Sequence, residues 1–205
     1  MQRIFYILKF LFEMKSKLFF LLFLLSSTSF AQSIDQLKIA TKKIYDANYT
    51  MDFETVAQLT YPQIVTAIGK DKLLEKLDTD YQNEAFRMRL ELVTPVFIYA
   101  PIKKIANRSF VVVSYKNPVR YFFENKLNPT IAAEKVTELR KKNQTQDVTF
   151  EPKRNSFNVR RISKLIAISD ETTSGYWKFY NLDDEVQRQF FDTTFDITVK
   201  KELGL

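Results

Sequence analysis

The chain contains no histidine and no cysteine, so acid–base, nucleophilic and metal chemistry must be sought among carboxylates, tyrosines and hydroxyls. Imidazole bases, Ser-His-Asp and Cys-His nucleophile systems, and zinc sites built on Cys or His are closed to it. Two carboxylate groupings remain. Asp78 and Asp80 flank Thr79, but Asp78-Thr79-Asp80-Tyr81-Gln82-Asn83 lacks the glycine that a calcium loop needs at its sharp turn. It reads as solvated charge at a helix end. Asp183-Asp184-Glu185 falls at the start of an expected helix, where free backbone N–H groups favour negative charge. The three glycines, Gly69, Gly175 and Gly204, form no phosphate-cradling loop. No cofactor and no metal is expected.

Aromatic and basic residues offer binding rather than catalysis. Tyr49, Phe53 and Tyr61 fall at the junctions between expected helices, and Trp177, the single tryptophan, shares a strand face with Phe179. Tyr49, Phe53, Tyr61 and Trp177 are the candidate ligand-binding residues, with core packing as the competing account of each. Arg140, Lys141, Lys142, Lys153, Arg154, Arg160, Arg161 and Lys164 make the second half locally basic. Such a surface suits anionic lipid, polysaccharide or an acidic partner, against the plainer account of a solvated face.

The elements that position these residues follow a targeting segment. From Met14, Lys15 and Lys17 precede an unbroken apolar run, Leu18–Leu25, and then the small and polar residues Ser26–Ala31. That is the order of a secretory signal cut after Ala31. The run is too short for a membrane span, which takes about 20 apolar residues. Residues 1–31 are therefore expected to be a signal peptide, with 1–13 an upstream extension and Met14 the start. Residues 32–205 form a single domain with no stable membrane span after cleavage. The product is exported, periplasmic or extracellular, and not a lipoprotein, since there is no cysteine to acylate. Cleavage removes Arg3, Lys9, Lys15, Lys17 and Glu13, taking the formal charge from +7 to +4. That balance excludes the concentrated charge of a nucleic-acid-binding protein.

Beyond Ser33, a helix cap, Leu37, Ala40, Ile44 and Ala47 recur at helical steps. Asp52 caps a second short helix that Tyr61-Pro62 breaks; Gln63–Ile68 forms one or two turns stopped by Gly69, and a third helix spans Lys70–Glu84. The period changes at Phe86. From there to Val93, Met88, Leu90 and Leu92 alternate with Arg87, Arg89 and Glu91, the pattern of a strand with one wet face. Further strands are expected at Val96–Ala106, Ser109–Tyr115, Val119–Glu124, Val148–Phe150, Phe157–Ser169 and Tyr176–Tyr180. A tight turn at Asn107–Arg108 joins the second and third. A short helical insertion occupies Asn125–Gln146, begun by Asn128-Pro129, with Ile131, Val136 and Leu139 as its apolar face. A last helix, capped by Asp183 and Asp184, carries Val186, Phe190 and Phe191. The class is α+β: N-terminal helices packed on a curved antiparallel sheet, cone-like, with a short helical insertion between strands.

This order of elements resembles the nuclear-transport-factor-2-like (cystatin-like cone fold) superfamily. The resemblance is carried by Asp52-Phe53-Glu54-Thr55-Val56-Ala57-Gln58-Leu59-Thr60-Tyr61-Pro62 leading to Gly69-Lys70-Asp71, and by Leu165–Ser169 through Gly175–Phe179. It implies a helical lid over a bent sheet with a conical pocket between them. The superfamily's Asp–His pair is impossible here, and no catalytic residue is carried over. Three functions are expected to compete. The first is a non-enzymatic exported domain that binds a small apolar ligand or an envelope protein. The second is a lyase or isomerase using a pocket Asp or Tyr, and the third is an envelope surface protein acting through its basic patch.

Overall fold

The computed structural model describes residues 34–205. The expected signal segment and the Ser33 cap lie outside the described residues. The chain divides into two units, Met1–Ile39 and Ala40–Leu205, and apart from residues 34–39, the start of the first helix, everything below lies in the second.

Helix α1 runs over residues 34–50, with Ile44 and Ala47 buried. Asp52 caps α2 (Phe53–Leu59) by accepting a hydrogen bond from the Thr55 N–H at 3.0 Å. Pro62 opens α3 (Pro62–Ile68) at a position where a missing N–H leaves nothing unsatisfied. Gly69, at φ +87°, turns the chain into α4 (Lys70–Tyr81) through backbone space that side chains rarely enter. Helix α4 stops three residues short of the expected Glu84. The Asn83 side chain accepts from the N–H groups of Ala85 and Phe86 at 2.9 and 3.1 Å, closing a local turn that competes with helix and launches the sheet.

The strands are β1 (Phe86–Leu90), β2 (Ile98–Tyr99), β3 (Lys103–Ile105), β4 (Arg108–Lys116), β5 (Val119–Phe123), β6 (Val148–Glu151), β7 (Ser156–Val159), β8 (Ile162–Ser169) and β9 (Lys178–Asn181). Helix α5 (Pro129–Asn143) lies between β5 and β6, and α6 (Glu185–Thr194) and α7 (Ile197–Leu203) follow β9. All strand pairing within the sheets is antiparallel, in the orders β1-β5-β7-β6 and β2-β4-β8-β9, with β3 beside β4. The class is α+β, as expected.

The two sheets meet along one ribbon. Lys116 pairs with Ile162 at the end of β4–β8, and Val119 pairs with Val159 at the start of β5–β7. Both strands advance three residues across the gap, so the register never slips. Asn117 N–H still donates to Arg161 C=O at 3.0 Å. Pro118 explains why β1 ends early. Its C=O accepts from Glu91 N–H at 2.9 Å, but it has no N–H to return, so the β1 ladder stops there. The expected strand to Val93 is cut by a proline on its neighbour, and Leu92 swings out to 83% exposure.

Both sheets bury helical partners. Tyr81 from α4 and Ala132 and Leu139 from α5 close on Met88, Tyr121 and Phe157 of the first sheet. Of the expected α5 apolar face, Leu139 and Val136 pack inward, while Ala132 takes the place of Ile131, which is exposed. In the second sheet Tyr61 at the N-cap of α3, Ile64 from α3, Phe191 from α6, Phe195 at its C-cap and Val199 from α7 cover Phe110, Ile166, Ile168 and Tyr180. On the opposite face the Tyr45 ring meets Tyr115 edge-on, with centroids 5.7 Å apart. Helix α7, absent from the expected elements, is capped by Asp196, which accepts from Val199 N–H at 2.9 Å. The β3–β4 turn sits at Ala106–Asn107, one residue earlier than expected, with φ +47° and +62°, the pair of positive values a two-residue type I′ turn requires.

Candidate functional site

The β4–β8 ladder sets side chains on one face in four successive rows. Phe110 lies opposite Ile168, and Val112 opposite Ile166 with Tyr180 beyond it. These rows lie under α3, α6 and α7. In the next two rows Ser114 lies opposite Lys164, flanked by Ile98 of β2, and Lys116 lies opposite Ile162. There the cover ends: Ile98 is 68% and Ile162 57% exposed. This open end is the floor of a groove of about 1450 Å³. Segment 91–98, released from the sheet by Pro118, supplies Val93 and Val96 as one wall. Arg188 and Phe191 of α6 form a second, and the turn after α5 a third.

Charge in the groove is unevenly matched. Every acidic side chain that lines it is held by a cation: Asp183 by Arg161 at 3.6 Å, Asp147 by Arg160 at 3.8 Å, Asp192 by Lys200 at 3.2 Å, and Glu91 by Arg120 at 3.3 Å. The Lys142 ammonium rests 5.6 Å from the Phe86 ring centroid. Lys116, Lys164 and the half-buried Arg188 have no ion-pair or side-chain hydrogen-bond partner among the described residues.

At the end of the groove a polar network is sealed where the two sheets meet. The Asn117 amide donates to Ser163 Oγ at 2.8 Å, Ser163 donates to Asp183 Oδ2, and Arg161 donates to Asn143 Oδ1 at 2.7 Å. Burial pushes the Tyr115 phenol well above its usual pKa, the Asp183 charge adding to the effect. Asn117 Oδ1 is buried without a hydrogen-bond partner. The Ser163 hydroxyl gives its hydrogen to a carboxylate already held by Arg161, so the arrangement fixes geometry and provides no free base for a nucleophile.

A second Asp–Tyr pair lies elsewhere. Tyr61 OH donates to Asp170 Oδ2 at 2.6 Å, Thr172 donates to Asp170 Oδ1 at 2.7 Å, and Arg108 lies 3.3 Å from the same carboxylate. Burial works against the Asp170 charge, but the hydrogen bonds from Tyr61, Thr172 and the Thr173 N–H, together with Arg108, hold its pKa below the ordinary carboxylate value. Burial, then the Asp170 hydrogen bond, raises Tyr61. This pair ties the start of α3 to the β8–β9 turn. Neither residue lines the groove, nor the smaller cavity that Phe86, Tyr121 and Leu139 border.

The four expected binding residues are distributed through the molecule. Tyr49 lies partly exposed on α1, and Phe53 meets the Tyr81 ring edge-on at 5.1 Å. Tyr61 stacks on Tyr180 at 5.2 Å in the core beneath α6, and Trp177 is 3% exposed before β9. Tyr61 and Phe53 belong to different clusters, and none of the four lines the groove. Of the basic group, Lys142, Arg160, Arg161 and Lys164 reach the groove. Arg140 instead donates to the Gln146 carbonyl at 3.1 Å, and Arg154 pairs with Glu151 at 3.4 Å. Asp80 pairs with Lys76, and Asp184 alone of the 183–185 acids caps α6, accepting from Gln187 N–H at 2.9 Å. Sequence reasoning missed Ser114, Lys116 and Arg188. The first two were visible as the even positions of β4 passing from Phe110 and Val112 to Ser and Lys.

Among the described residues no group of carboxylates could hold a metal ion, and no helix is long and apolar enough to cross a membrane. No family model, no curated protein and no solved structure matches the chain.

Proposed function

We propose that this protein is an exported, non-enzymatic binding protein whose ligand is apolar and lies along the open end of the β4–β8 face. The observation that carries the reading is the abrupt end of helical cover over an otherwise continuous sheet face, which leaves Ile98, Ile162, Val96 and Val93 lining a groove larger than the usual few hundred to about 1,000 Å³ of small-molecule sites. A groove of that volume has room for an extended chain. Exposed apolar side chains gathered in one concave place, rather than scattered singly, are the ordinary mark of a binding surface. The competing lyase or isomerase reading needs an uncommitted Asp, Glu or Tyr in the groove, and each acidic side chain there is engaged by a cation.

Titration of the purified protein with the neutral fluorescent probe N-phenyl-1-naphthylamine tests this. Saturable binding is expected, weakened about tenfold or more by Ile162→Asp, since displacing one aliphatic contact is worth about 1.5–3 kcal/mol. Ile131→Asp, on the exposed side of α5, should leave binding unchanged. Absence of saturable binding, or equal loss from both variants, would contradict the groove as the site.

A further inference from the structure

We infer that the ligand is a single-chain amphiphile with an anionic head, the head seated at Lys164 and Arg188 and the chain running toward Val96 and Ile98; this rests on the groove being the binding site. The inference comes from how charge is distributed within the groove. Four acidic side chains face it and all four are paired with cations of this chain, so no acidic side chain is left to receive a cationic ligand. Three cations face it without partners among the described residues. Lys116 and Lys164 are exposed, and water satisfies them cheaply. Arg188 is half-buried in the first turn of α6, with no side-chain hydrogen bond among the described residues, although a guanidinium carries five donors. A partly desolvated arginine without a partner is costly, and an incoming anion relieves that cost.

The register fixes the order of charge and grease. Lys164 shares a row with Ser114 and Ile98, and its C=O accepts from Leu182 N–H at 3.0 Å, close to where α6 and Arg188 begin. From that row the floor runs outward over Ile98 to Val96, which is 73% exposed. Strands lie about 4.8 Å apart, so Ile98 on β2 sits two strands, about 10 Å, from Lys164 on β8. A carboxylate or phosphate at Lys164 thus has a path of apolar surface leading away from it. Neither a cationic nor a wholly neutral ligand would use both features.

The test compares dodecanoate, dodecyl phosphate and neutral methyl dodecanoate as displacers of N-phenyl-1-naphthylamine from the purified protein at pH 8. Both anions should displace the probe at concentrations at least about tenfold lower than the ester, the worth of one or two charge-assisted hydrogen bonds. The tighter of the two identifies the head as carboxylate or phosphate. Lys164→Gln and Arg188→Gln should each remove most of that advantage while leaving ester and probe binding as they were. Lys164 is exposed, so its variant reports even if Arg188→Gln perturbs α6. Equal displacement by ester and anions, or an anion advantage that survives both variants, would overturn the anionic head and leave the apolar groove standing. Failure of the probe itself to bind would overturn both.

Discussion

The two ends of the β4–β8 ribbon differ in what lies above the same face. At one end Phe110, Val112, Ile166 and Ile168 sit beneath aromatic side chains of the C-terminal helices, with Phe110 and Phe195 edge to face at 5.3 Å. At the other, Ser114, Lys116, Ile162 and Lys164 continue the ladder with no helix over them. Backbone, register and strand pairing are shared. The difference lies in four side chains and in where α6 begins. A continuous sheet thus serves as core along half its length and as a candidate binding floor along the rest, and the boundary is drawn by side-chain type and by where α6 begins.

Substitutions that treat the two halves alike should break that symmetry. Phe110→Ala removes a fully buried ring and should cost about 3–5 kcal/mol in urea unfolding. Lys116→Ala, six residues along the same strand on the same face, should stay within about 0.5 kcal/mol. A similar loss from both would mean that the open end is packed after all. At the seam between the halves, Asp183→Ala leaves the mostly buried Arg161 without its carboxylate and should cost about 2–3 kcal/mol by the same measurement.

The covered end is also fastened by Asp170, whose side chain is 5% exposed. Its folded pKa lies below the unfolded value, so its contribution is complete above the ordinary carboxylate pKa of about 3.9 and is lost as pH falls through the depressed folded value. Asp170→Asn should therefore cost about 1–2 kcal/mol at neutral pH, a gap that stays flat down to about pH 5 and closes below about pH 4. A pH-independent gap would show that the charge is not what matters. The smallest effect lies at the β3–β4 turn. Ala106→Gly relieves a non-glycine residue at φ +47° and should raise stability by about 0.5–1 kcal/mol without altering probe binding.

Much of the architecture was legible because local rules decided it. The caps at Asp52 and Asn128, the break at Gly69 and the alternation from Phe86 each depend on a few neighbouring residues. Pro118 shows where that legibility stops. It shortens β1 from across the sheet, and nothing within Phe86–Val93 signals it. The candidate site was harder to see for a related reason. Tyr49, Phe53, Tyr61 and Trp177 are large aromatics, and sequence pattern does not separate an aromatic that fills a core from one that lines a pocket. The change from Phe110 and Val112 to Ser114 and Lys116 was readable, but it became a floor only once α6 was seen to stop short of it. Arg188 gave no signal at all, because its lack of a partner is a fact of tertiary structure.

The most direct test is residue-resolved NMR of the protein titrated with dodecanoate. Amide shifts should concentrate at Ser114, Lys116, Ile162 and Lys164 and leave Phe110, Val112, Ile166 and Ile168 in place. Shifts centred on those latter four, or none on the ribbon at saturating ligand, would contradict the assignment of the open end as the binding floor.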